Sequence, residues 1–297
     1  MQFIHFSRIE FSCDESAWNV SLHFRVDAAL RKGIRPLKSM SVCHCEVAGQ
    51  IQSTLLTKFG EHSLSSTVIE RLKGLTGPHL ADGCLRSGVP IRFGPAGIGP
   101  LIFGMEVRGR ALPVRHVGSI DVFLEAMEEA QPGDVMVIDN GGRQDEACIG
   151  DIILLEGKAA GLAGFVIWGL HRDSTELTNI GFPVFSMGAL PTGPQRLHVR
   201  SPDIFSRASF GQHSISTSDY VVGDANGVLF LPADRIEEII TAASAYRETE
   251  ARQLKAMSEG RSYRSQTRFT EYLAHRAKDS SYGFRQHLKD IEAAGEV

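Results

Sequence analysis

The stretch AGFVIWGLHRDSTE, residues 163–176, joins an apolar run to a charged turn. The run GFVIW (164–168) is typical of a buried β-strand, and Gly169 ends it. Asp173 and Glu176 have the D-x-x-E spacing of a helix N-terminus. The stretch therefore predicts a strand, a short loop and a helix, which is the unit that α/β folds repeat.

The segments on both sides continue this alternation from about residue 100 to residue 232. We predict strands at LIFGMEV (101–107), VMVID (135–139), PVFSM (183–187) and on both sides of Asn226-Gly227 in YVVGDANGVLFLP (220–232). We predict helices at SIDVFLEAMEEA (119–130) and DIILLEGKAAG (151–161). This pattern predicts an α/β fold.

The two ends of the chain show other patterns. Residues 1–62 have no clean periodicity, and we treat them as an N-terminal extension before a core at 63–233 and a C-terminal helical segment at 234–297. TGPHLADGCLRSGVP (76–90) contains several glycines and prolines and predicts a loop. We predict further helices at TVIERLKGL (67–75), from an N-cap at Asp234 through about Met257, and around FTEYLAHRAKD (269–279).

Composition places the chain among ordinary globular proteins. Of its 297 residues, 42% are hydrophobic and 22% are charged, and the net charge is −4. This charge argues against a nucleic-acid or anionic-membrane partner. No apolar run reaches the length of a membrane span, and the N-terminus lacks the features of a signal peptide. Five scattered cysteines do not form a disulfide framework, so we expect a cytoplasmic protein.

Arg172 and Asp173 stand at the end of a predicted strand and allow two interpretations. In the structural one, Asp173 caps the following helix and Arg172 makes a surface ion pair. In the functional one, both side chains face a ligand, because ligands of α/β sheets collect at the loops beyond strand ends. A carboxylate there can hold Mg²⁺ or Mn²⁺, and the guanidinium can bind a substrate carboxylate.

A second candidate is Gly150-Asp151-Ile152-Ile153, at the start of a predicted helix. Backbone amides in a first helical turn lack intrahelical partners and can bind an anion. Gly150 lets a ligand approach the backbone closely. In the structural alternative, Asp151 is simply an N-cap.

Two further patterns are weak. GPAGIG (94–99) resembles a glycine-rich nucleotide loop, but no predicted strand precedes it. VMVIDNGG (135–142) is similar to the strand and loop of S-adenosylmethionine methyltransferases, without their G-x-G spacing.

An ordered set of segments resembles the RraA-like family, which contains the 4-hydroxy-4-methyl-2-oxoglutarate/4-carboxy-4-hydroxy-2-oxoadipate aldolases. The similar segments, within about 65–260, are PGDVMVID, GG…A..GD, G..GFVIWGLHRD, GFPVF and DANGVLFLP. The resemblance implies a compact β/β/α sandwich of the swivelling phosphohistidine-domain type with a C-terminal helical extension. It also implies homotrimers or hexamers with active sites between subunits.

The implied activity is that of a lyase dependent on Mg²⁺ or Mn²⁺, a class II pyruvate aldolase. Such an enzyme cleaves the C3–C4 bond of a 4-hydroxy-2-oxo acid to give pyruvate, or decarboxylates oxaloacetate. By resemblance, Asp173 is the metal carboxylate and Arg172 the substrate-binding arginine. The amides of Gly150 through Ile153 would hold the pyruvyl carboxylate, and Asp151 would orient the water that moves protons.

The family's site is completed by a glutamate from the C-terminal helix of a neighbouring subunit. Glu250 is our choice for this residue, and Glu248 is the second. Glu250 lies on an apolar helical stripe, so it is either at the rim of the packed face or buried with a raised pKa; the pattern slightly favours the rim.

The sequence departs from the family in several places, and its N-terminal extension and long C-terminal tail are extra to the short family members. The family's T-x-x-x-x-D-A-L stretch appears here as TGPHLADG (76–83), and PGD before the last hairpin appears as Thr217-Ser218-Asp219. These changes leave the Arg172–Asp173 pair intact. They alter the segments that would form the distal part of the substrate pocket, so the resemblance does not predict which group binds there. The alternative function is a non-catalytic regulator that binds a ribonuclease or another protein, and a methyltransferase is the third.

Overall fold

The computed structural model describes residues 5–14, 17–25 and 67–291. Chain contacts divide the protein into two units, Met1–Thr54 and Leu55–Val297. In the first unit, strand β1 (His5–Asp14) pairs antiparallel with β2 (Ala17–Arg25). Sequence periodicity did not reveal this hairpin. The proposed boundaries at 62 and 233 stay predictions.

The second unit contains the remaining strands and the helices. The strands are β3 (Arg92–Phe93), β4 (Gly99–Pro100), β5 (Val107–Arg115), β6 (Val135–Asp139), β7 (Ala147–Ile149), β8 (Gly164–Trp168), β9 (Leu170–His171), β10 (Val184–Ser186), β11 (Arg207–Phe210), β12 (His213–Ser216), β13 (Asp219–Asp224) and β14 (Gly227–Pro232). The helices are α1 (residues 67–72), α2 (Gly77–Arg86), α3 (Asp121–Glu128), α4 (Asp151–Ala159), α5 (Ser174–Ile180), α6 (Ile236–Ser258), α7 (Tyr263–Gln266), α8 (Phe269–Lys278) and α9 (Phe284–Asp290).

Eight of the described strands form one mixed sheet in the order β3-β14-β13-β5-β6-β8-β10-β4. β5, β6, β8 and β10 are parallel, whereas β13, β14 and the edge strands β3 and β4 are antiparallel to their neighbours. The α/β prediction is therefore confirmed. Parallel strands buried on both faces read as continuous apolar runs, which is why VMVID and GFVIW were recognisable.

Both faces of the parallel strands are buried. Met136 and Ile138 of β6 pack with Phe123 of α3 and Leu154 of α4. On the opposite face, a second cluster joins the sheet to β11 and β12: Val135, Val137, Val166, Phe185, Ala208, Phe210 and Ile215. The helices α3, α4 and α5 thus cover one face, and the curled antiparallel part covers the other.

The segment predicted as a loop at residues 76–90 contains α2, so that prediction was wrong. Thr76 caps the helix by accepting a hydrogen bond from His79 N, and Pro78 lies in the first turn, where its missing N–H costs little. Gly83 lies against α6, because a Cβ there would be 2.6 Å from Ile239 O. Proline and glycine mark a helix start and a close helix crossing here, not a loop.

Two other sequence predictions need correction. LIFGMEV is not a strand: residues 101–104 form bends and a turn, with Gly104 at φ 87°, and the strand begins at Val107. Arg108 and Arg110 interrupt the apolar pattern of β5, which hid that strand. Asp234 lies in a 3₁₀ turn, and α6 starts at Ile236.

The other predicted elements are confirmed: α1, α3, β6, α4, β8, α5, β10, the β13–β14 hairpin, α6 and α8. Within the described ranges, no helix is long and apolar enough to cross a membrane.

Candidate active site

Two loops meet because the short strands that precede them pair. β7 pairs parallel with β9, with Ala147 opposite Leu170. Arg172 N then donates to Ile149 O at 2.9 Å, which extends the contact by one residue. The pairing places Gly150 next to Arg172 and Asp173, so the two segments singled out from sequence form one site.

Asp173 adopts a left-handed backbone conformation, with φ 59° and ψ 40°. Such a conformation costs a non-glycine residue roughly 1–3 kcal/mol and is concentrated at functional sites. Asp173 occupies the N-cap position of α5, but its side chain makes no capping hydrogen bond. Its Oδ2 instead lies 3.4 Å from Arg172 Nε and 3.4 Å from Asp151 N. The structural interpretation of Asp173 as a side-chain cap is therefore wrong.

Position 150 requires a glycine because there is no room for a side chain, and not because of its backbone angles. Its φ is −140°, a conformation that any residue can adopt. A Cβ built on it would lie 2.1 Å from Asp173 Oδ2 and 3.2 Å from Arg172 Nε. The missing side chain lets the carboxylate rest against the start of α4.

The first turn of α4 presents its amides to this site. Gly150 is the N-cap and Asp151 is the first helical residue, so the alternative of Asp151 as N-cap is wrong. The N–H groups of Asp151, Ile152 and Ile153 lack acceptors within the helix by its geometry. The Asp151 carboxylate folds back and accepts the Ile152 N–H at 2.8 Å. An incoming anion that binds this amide must displace that carboxylate.

The two loops line a small cavity of about 130 Å³. Its lining consists of Ile120, Ala147, Cys148, Ile149, Gly150, Asp151, Ile152, Ile153, Arg172, Gly193 and Pro194. Cys148 carries the thiol in this lining, and burial raises the pKa of that thiol to about 12. It therefore stays protonated and does not serve as a nucleophile near neutral pH.

A larger cavity, of about 420 Å³, lies between α2, the 94–99 loop and the β13–β14 turn. Its polar side chains are Asp224 and Asn226, and the Asp224 carboxylate already accepts hydrogen bonds from Gly77 N and Asn226 N. We assign the chemistry to the smaller cavity, because Arg172, Asp151 and the first turn of α4 converge there.

His171 supports the Arg172–Asp173 loop and was not found from sequence. Its buried ring lies 2.7 Å from Ser186 Oγ through Nδ1 and 3.1 Å from Ser174 Oγ through Nε2. Burial lowers the pKa of this imidazole, so the ring is neutral near pH 7. Its position directly before Arg172 is the signal that could have indicated it.

A buried polar network, also missed from sequence, lies beside the cavity. Arg196 binds the Glu146 carboxylate with Nη2 and Nε, at 2.7 and 3.1 Å from Oε1. Arg196 Nη2 also donates to Asn140 Oδ1 at 3.0 Å, and His116 Nδ1 lies 2.8 Å from the same oxygen. Glu146 directly precedes β7, so the network connects the loop around residues 192–198 (the 190s loop) to the strand that leads to Gly150.

Glu250 lies outside the cavity of its own chain. It sits on α6, partly exposed, and its Oε2 is 3.0 Å from His79 Nε2. The expected rim position is confirmed. Glu248 is exposed on the same helix. The role of either glutamate in a neighbouring subunit stays a prediction.

A divalent ion at this site would depend on one side chain and on water. Among residues 67–291 and the described parts of the N-terminus, no three His, Cys, Asp or Glu side chains come together as a metal cage. Mg²⁺ commonly uses one or two carboxylates and several waters. The Asp173 carboxylate, held away from its own helix and reachable from solvent, fits that type of site.

Comparison with known proteins places the chain in a family and finds its fold in solved structures. The model of the RraA-like family, described as Aldolase/RraA, matches residues 78–230. A protein of Halalkalibacterium halodurans, provisionally named 4-hydroxy-4-methyl-2-oxoglutarate aldolase, is 34% identical over 54% of this chain and 77% of its own length. Two solved structures share the fold. An uncharacterized protein from Pseudomonas syringae has a TM-score of 0.58 at 27% identity, covering 67% of this chain and 95% of that one. RraAS2 of Streptomyces coelicolor is described as an unusual member of an RNase ES inhibitor family. It has a TM-score of 0.55 at 25% identity, covering 64% of this chain and 96% of that one.

Proposed function

Because the chain belongs to the RraA-like family, we propose that it is a carbon–carbon lyase of the pyruvate aldolase type. It cleaves the C3–C4 bond of a 4-hydroxy-2-oxo acid, decarboxylates oxaloacetate, or does both. The observation that carries this proposal is the close approach of Asp173 to Gly150, which places the Asp173 carboxylate beside the start of α4, whose first residues line the cavity together with Arg172.

The 1-carboxylate of the substrate binds at the start of α4. The amides of Ile152 and Ile153 donate to it, and the positive end of the helix dipole favours its charge. Binding displaces the Asp151 carboxylate from the Ile152 amide. Asp151 is then free to hold a water beside the substrate.

Mg²⁺ or Mn²⁺, bound by Asp173 and water, would supply a Lewis acid for the 2-oxo group. The protein holds the Asp173 carboxylate in place. The left-handed backbone of Asp173 and the hydrogen bonds of His171 to Ser174 and Ser186 fix the Arg172–Asp173 loop. This support is of the kind that metal-binding carboxylates need.

Arg172 stabilises charge as the bond breaks. In the aldol cleavage, the water held by Asp151 takes the C4 hydroxyl proton, the C3–C4 electron pair moves into the pyruvate enolate, and a carbonyl compound leaves. C3 is then protonated to give pyruvate. In the decarboxylation, CO2 leaves and the same enolate is protonated. The guanidinium stabilises the negative charge that develops on the enolate. Such stabilisation is strongest in a site from which water is excluded.

Several further features belong to this proposal. The active form is a homotrimer or hexamer, in which Glu250, or else Glu248, reaches a neighbouring site and exchanges protons there. The fold is of the β/β/α swivelling phosphohistidine-domain type, and the protein acts in the cytoplasm on a small 2-oxo acid. We propose neither a nucleic-acid nor a membrane partner.

The second candidate is a regulator that binds a ribonuclease, supported by the similarity to RraAS2. A pure binder has no need of a cavity lined by Arg172 with the Asp173 carboxylate beside that arginine, so we rank the lyase first.

The test is pyruvate release from oxaloacetate, coupled to lactate dehydrogenase, with Mg²⁺ or Mn²⁺ and after chelation. Asp173→Asn should abolish the metal-dependent rate. Glu176→Gln is the matched control, because Glu176 is an exposed carboxylate in the same helical turn. Absence of pyruvate from all tested 2-oxo acids, together with co-purification of a ribonuclease, would favour the second candidate.

A further inference from the structure

We propose that His79 is a positioning residue, which holds the Glu250 carboxylate of its own chain so that this group exchanges protons in the site of a neighbouring subunit. This inference rests on the proposed lyase function and selects Glu250 over Glu248. In this role His79 touches no substrate and acts only through Glu250. His79 lies in TGPHLADG (76–83), where the sequence departs from the family, so the resemblance assigns no role to it.

The His79 ring is fixed at the start of α2. Its Nδ1 accepts the Thr76 N–H at 3.2 Å and lies 3.0 Å from Thr76 Oγ1. Because Nδ1 accepts a hydrogen bond from the backbone, the ring proton is on Nε2. Nε2 therefore donates, and its partner is Glu250 Oε2 at 3.0 Å. The capping box of α2 thus determines which ring nitrogen faces the carboxylate.

The two helices that carry this pair are closely packed. A Cβ on Gly83 would lie 2.6 Å from Ile239 O and 2.9 Å from Ala243 Cβ. His79 and Gly83 are four residues apart in α2, so they lie on one face of that helix. Ala243 and Glu250 are seven residues apart in α6 and likewise share a face. The contact between His79 and Glu250 therefore continues the buried helix crossing and is held by it.

Glu250 stays accessible while His79 holds it. The Glu250 side chain is 43% exposed, whereas the His79 side chain is 15% exposed. The imidazole binds Oε2, which leaves the second oxygen for a group of a neighbouring subunit. A carboxylate that exchanges protons has to be fixed in position and within reach of the substrate, and this arrangement supplies both conditions.

Glu248 faces another direction. Residues two apart on an α-helix lie on nearly opposite sides of it. Glu248 is exposed, and α2 meets α6 on the side that carries Glu250. The structure thus holds the Glu250 carboxylate with a side chain of a second helix, which is the reason to choose Glu250.

The test is a double-mutant cycle on pyruvate release from oxaloacetate by the full chain with Mg²⁺ or Mn²⁺. We expect Glu250→Gln to lower kcat by roughly 10²-fold, as for loss of a general acid–base group. His79→Leu should lower kcat by about tenfold, as for loss of one hydrogen bond to a charged group. KM should change little in either variant, because the substrate carboxylate binds at α4. The double variant should be no slower than Glu250→Gln alone, because His79 acts through Glu250.

Two further variants separate positioning from general damage. His79→Gln should keep most of kcat, because glutamine can place an amide N–H near the position of Nε2 and is common at this position of a capping box. Glu259→Gln, at the exposed end of α6, is the control for removal of a charge. Thermal unfolding and sedimentation velocity check that each variant folds and assembles like the wild type. If His79→Leu does not fold, His79→Asn replaces it, because the asparagine amide is too short to reach Glu250.

Wild-type kcat in Glu250→Gln or in His79→Leu overturns this inference and leaves the lyase function standing. Losses that multiply in the double variant also overturn it, since His79 would then act independently of Glu250. Equal losses in His79→Gln and His79→Leu do the same. If folded, metal-supplied wild type releases pyruvate from no 2-oxo acid, the proposed lyase function itself is overturned, and this inference with it.

Discussion

Gly150 and Asp173, 23 residues apart, are in such close contact that a Cβ on Gly150 would lie 2.1 Å from Asp173 Oδ2. This contact joins the start of α4, proposed to bind the substrate carboxylate, to the carboxylate proposed to bind a metal. The short β7–β9 pair creates it, because Arg172 N bonds to Ile149 O immediately before both loops.

Gly150→Ala should therefore remove activity without unfolding the chain. The methyl group displaces the Asp173 carboxylate, and loss of one charge-stabilising group typically lowers kcat by roughly 10²–10³. Pyruvate release measures this effect. Gly99→Ala is the control, since nothing lies within 4 Å of a Cβ at that position. Normal turnover by the Gly150→Ala variant would show that the contact does not matter.

His171→Phe should lower kcat more than it raises KM. The ring no longer bonds to Ser174 or Ser186, so the Arg172–Asp173 loop loses its support while the α4 amides stay in place. Steady-state kinetics across Mg²⁺ concentrations should also show a weaker apparent metal affinity, roughly 10–100-fold as for other residues that support metal ligands. His213→Phe is a control ring outside this loop. An unchanged metal dependence in His171→Phe would contradict the supporting role.

Arg196→Ala should destabilise the fold by about 3–5 kcal/mol, because Glu146 is left as a buried, unpaired charge. Chemical denaturation measures the free energy of unfolding. Arg200→Ala removes an exposed partner of Asp121 and Glu125 and should have little effect. Equal small effects in the two variants would mean that the Arg196–Glu146 pair does not hold the 190s loop.

Stability should fall in acid through His116 and His171. Burial lowers the pKa of both imidazoles below the ordinary value of 6.5. The unfolded state then binds more protons, so the free energy of unfolding is highest above about pH 6.5 and decreases as the pH falls toward the folded-state pKa values. His116→Gln should make this decrease shallower between pH 7 and 5, as measured by denaturant unfolding. If the free energy of unfolding decreases equally steeply in the variant, protonation of His116 does not cause the loss of stability in acid.

Much of the fold could be predicted from sequence, for a physical reason. β6 and β8 are buried on both faces, so their apolar runs are continuous. α3 has a clear amphipathic pattern, and Gly161 marks the end of α4. The wrong secondary-structure predictions occur where a residue type is common in two kinds of structure. Pro78 and Gly83 suggested a loop but serve a helix start and a helix crossing, and Arg108 and Arg110 concealed β5.

The candidate site was only partly predictable. Arg172, Asp173 and Gly150 were found because each follows a recognisable strand or starts a recognisable helix. The Arg196–Glu146 pair was not, because its members are 50 residues apart and become partners only when the 190s loop packs on β7. His171 was missed because its two serine partners, one of them on β10, come from tertiary packing.

The most direct test of the central claim is pyruvate release from oxaloacetate by the full chain and by Asp173→Asn, with Mg²⁺ or Mn²⁺ and after EDTA. We predict metal-dependent release by the wild type, loss of release on chelation with recovery when metal returns, and none above background in Asp173→Asn. Substantial metal-dependent turnover in Asp173→Asn, or no turnover by folded, metal-supplied wild type, would contradict the account.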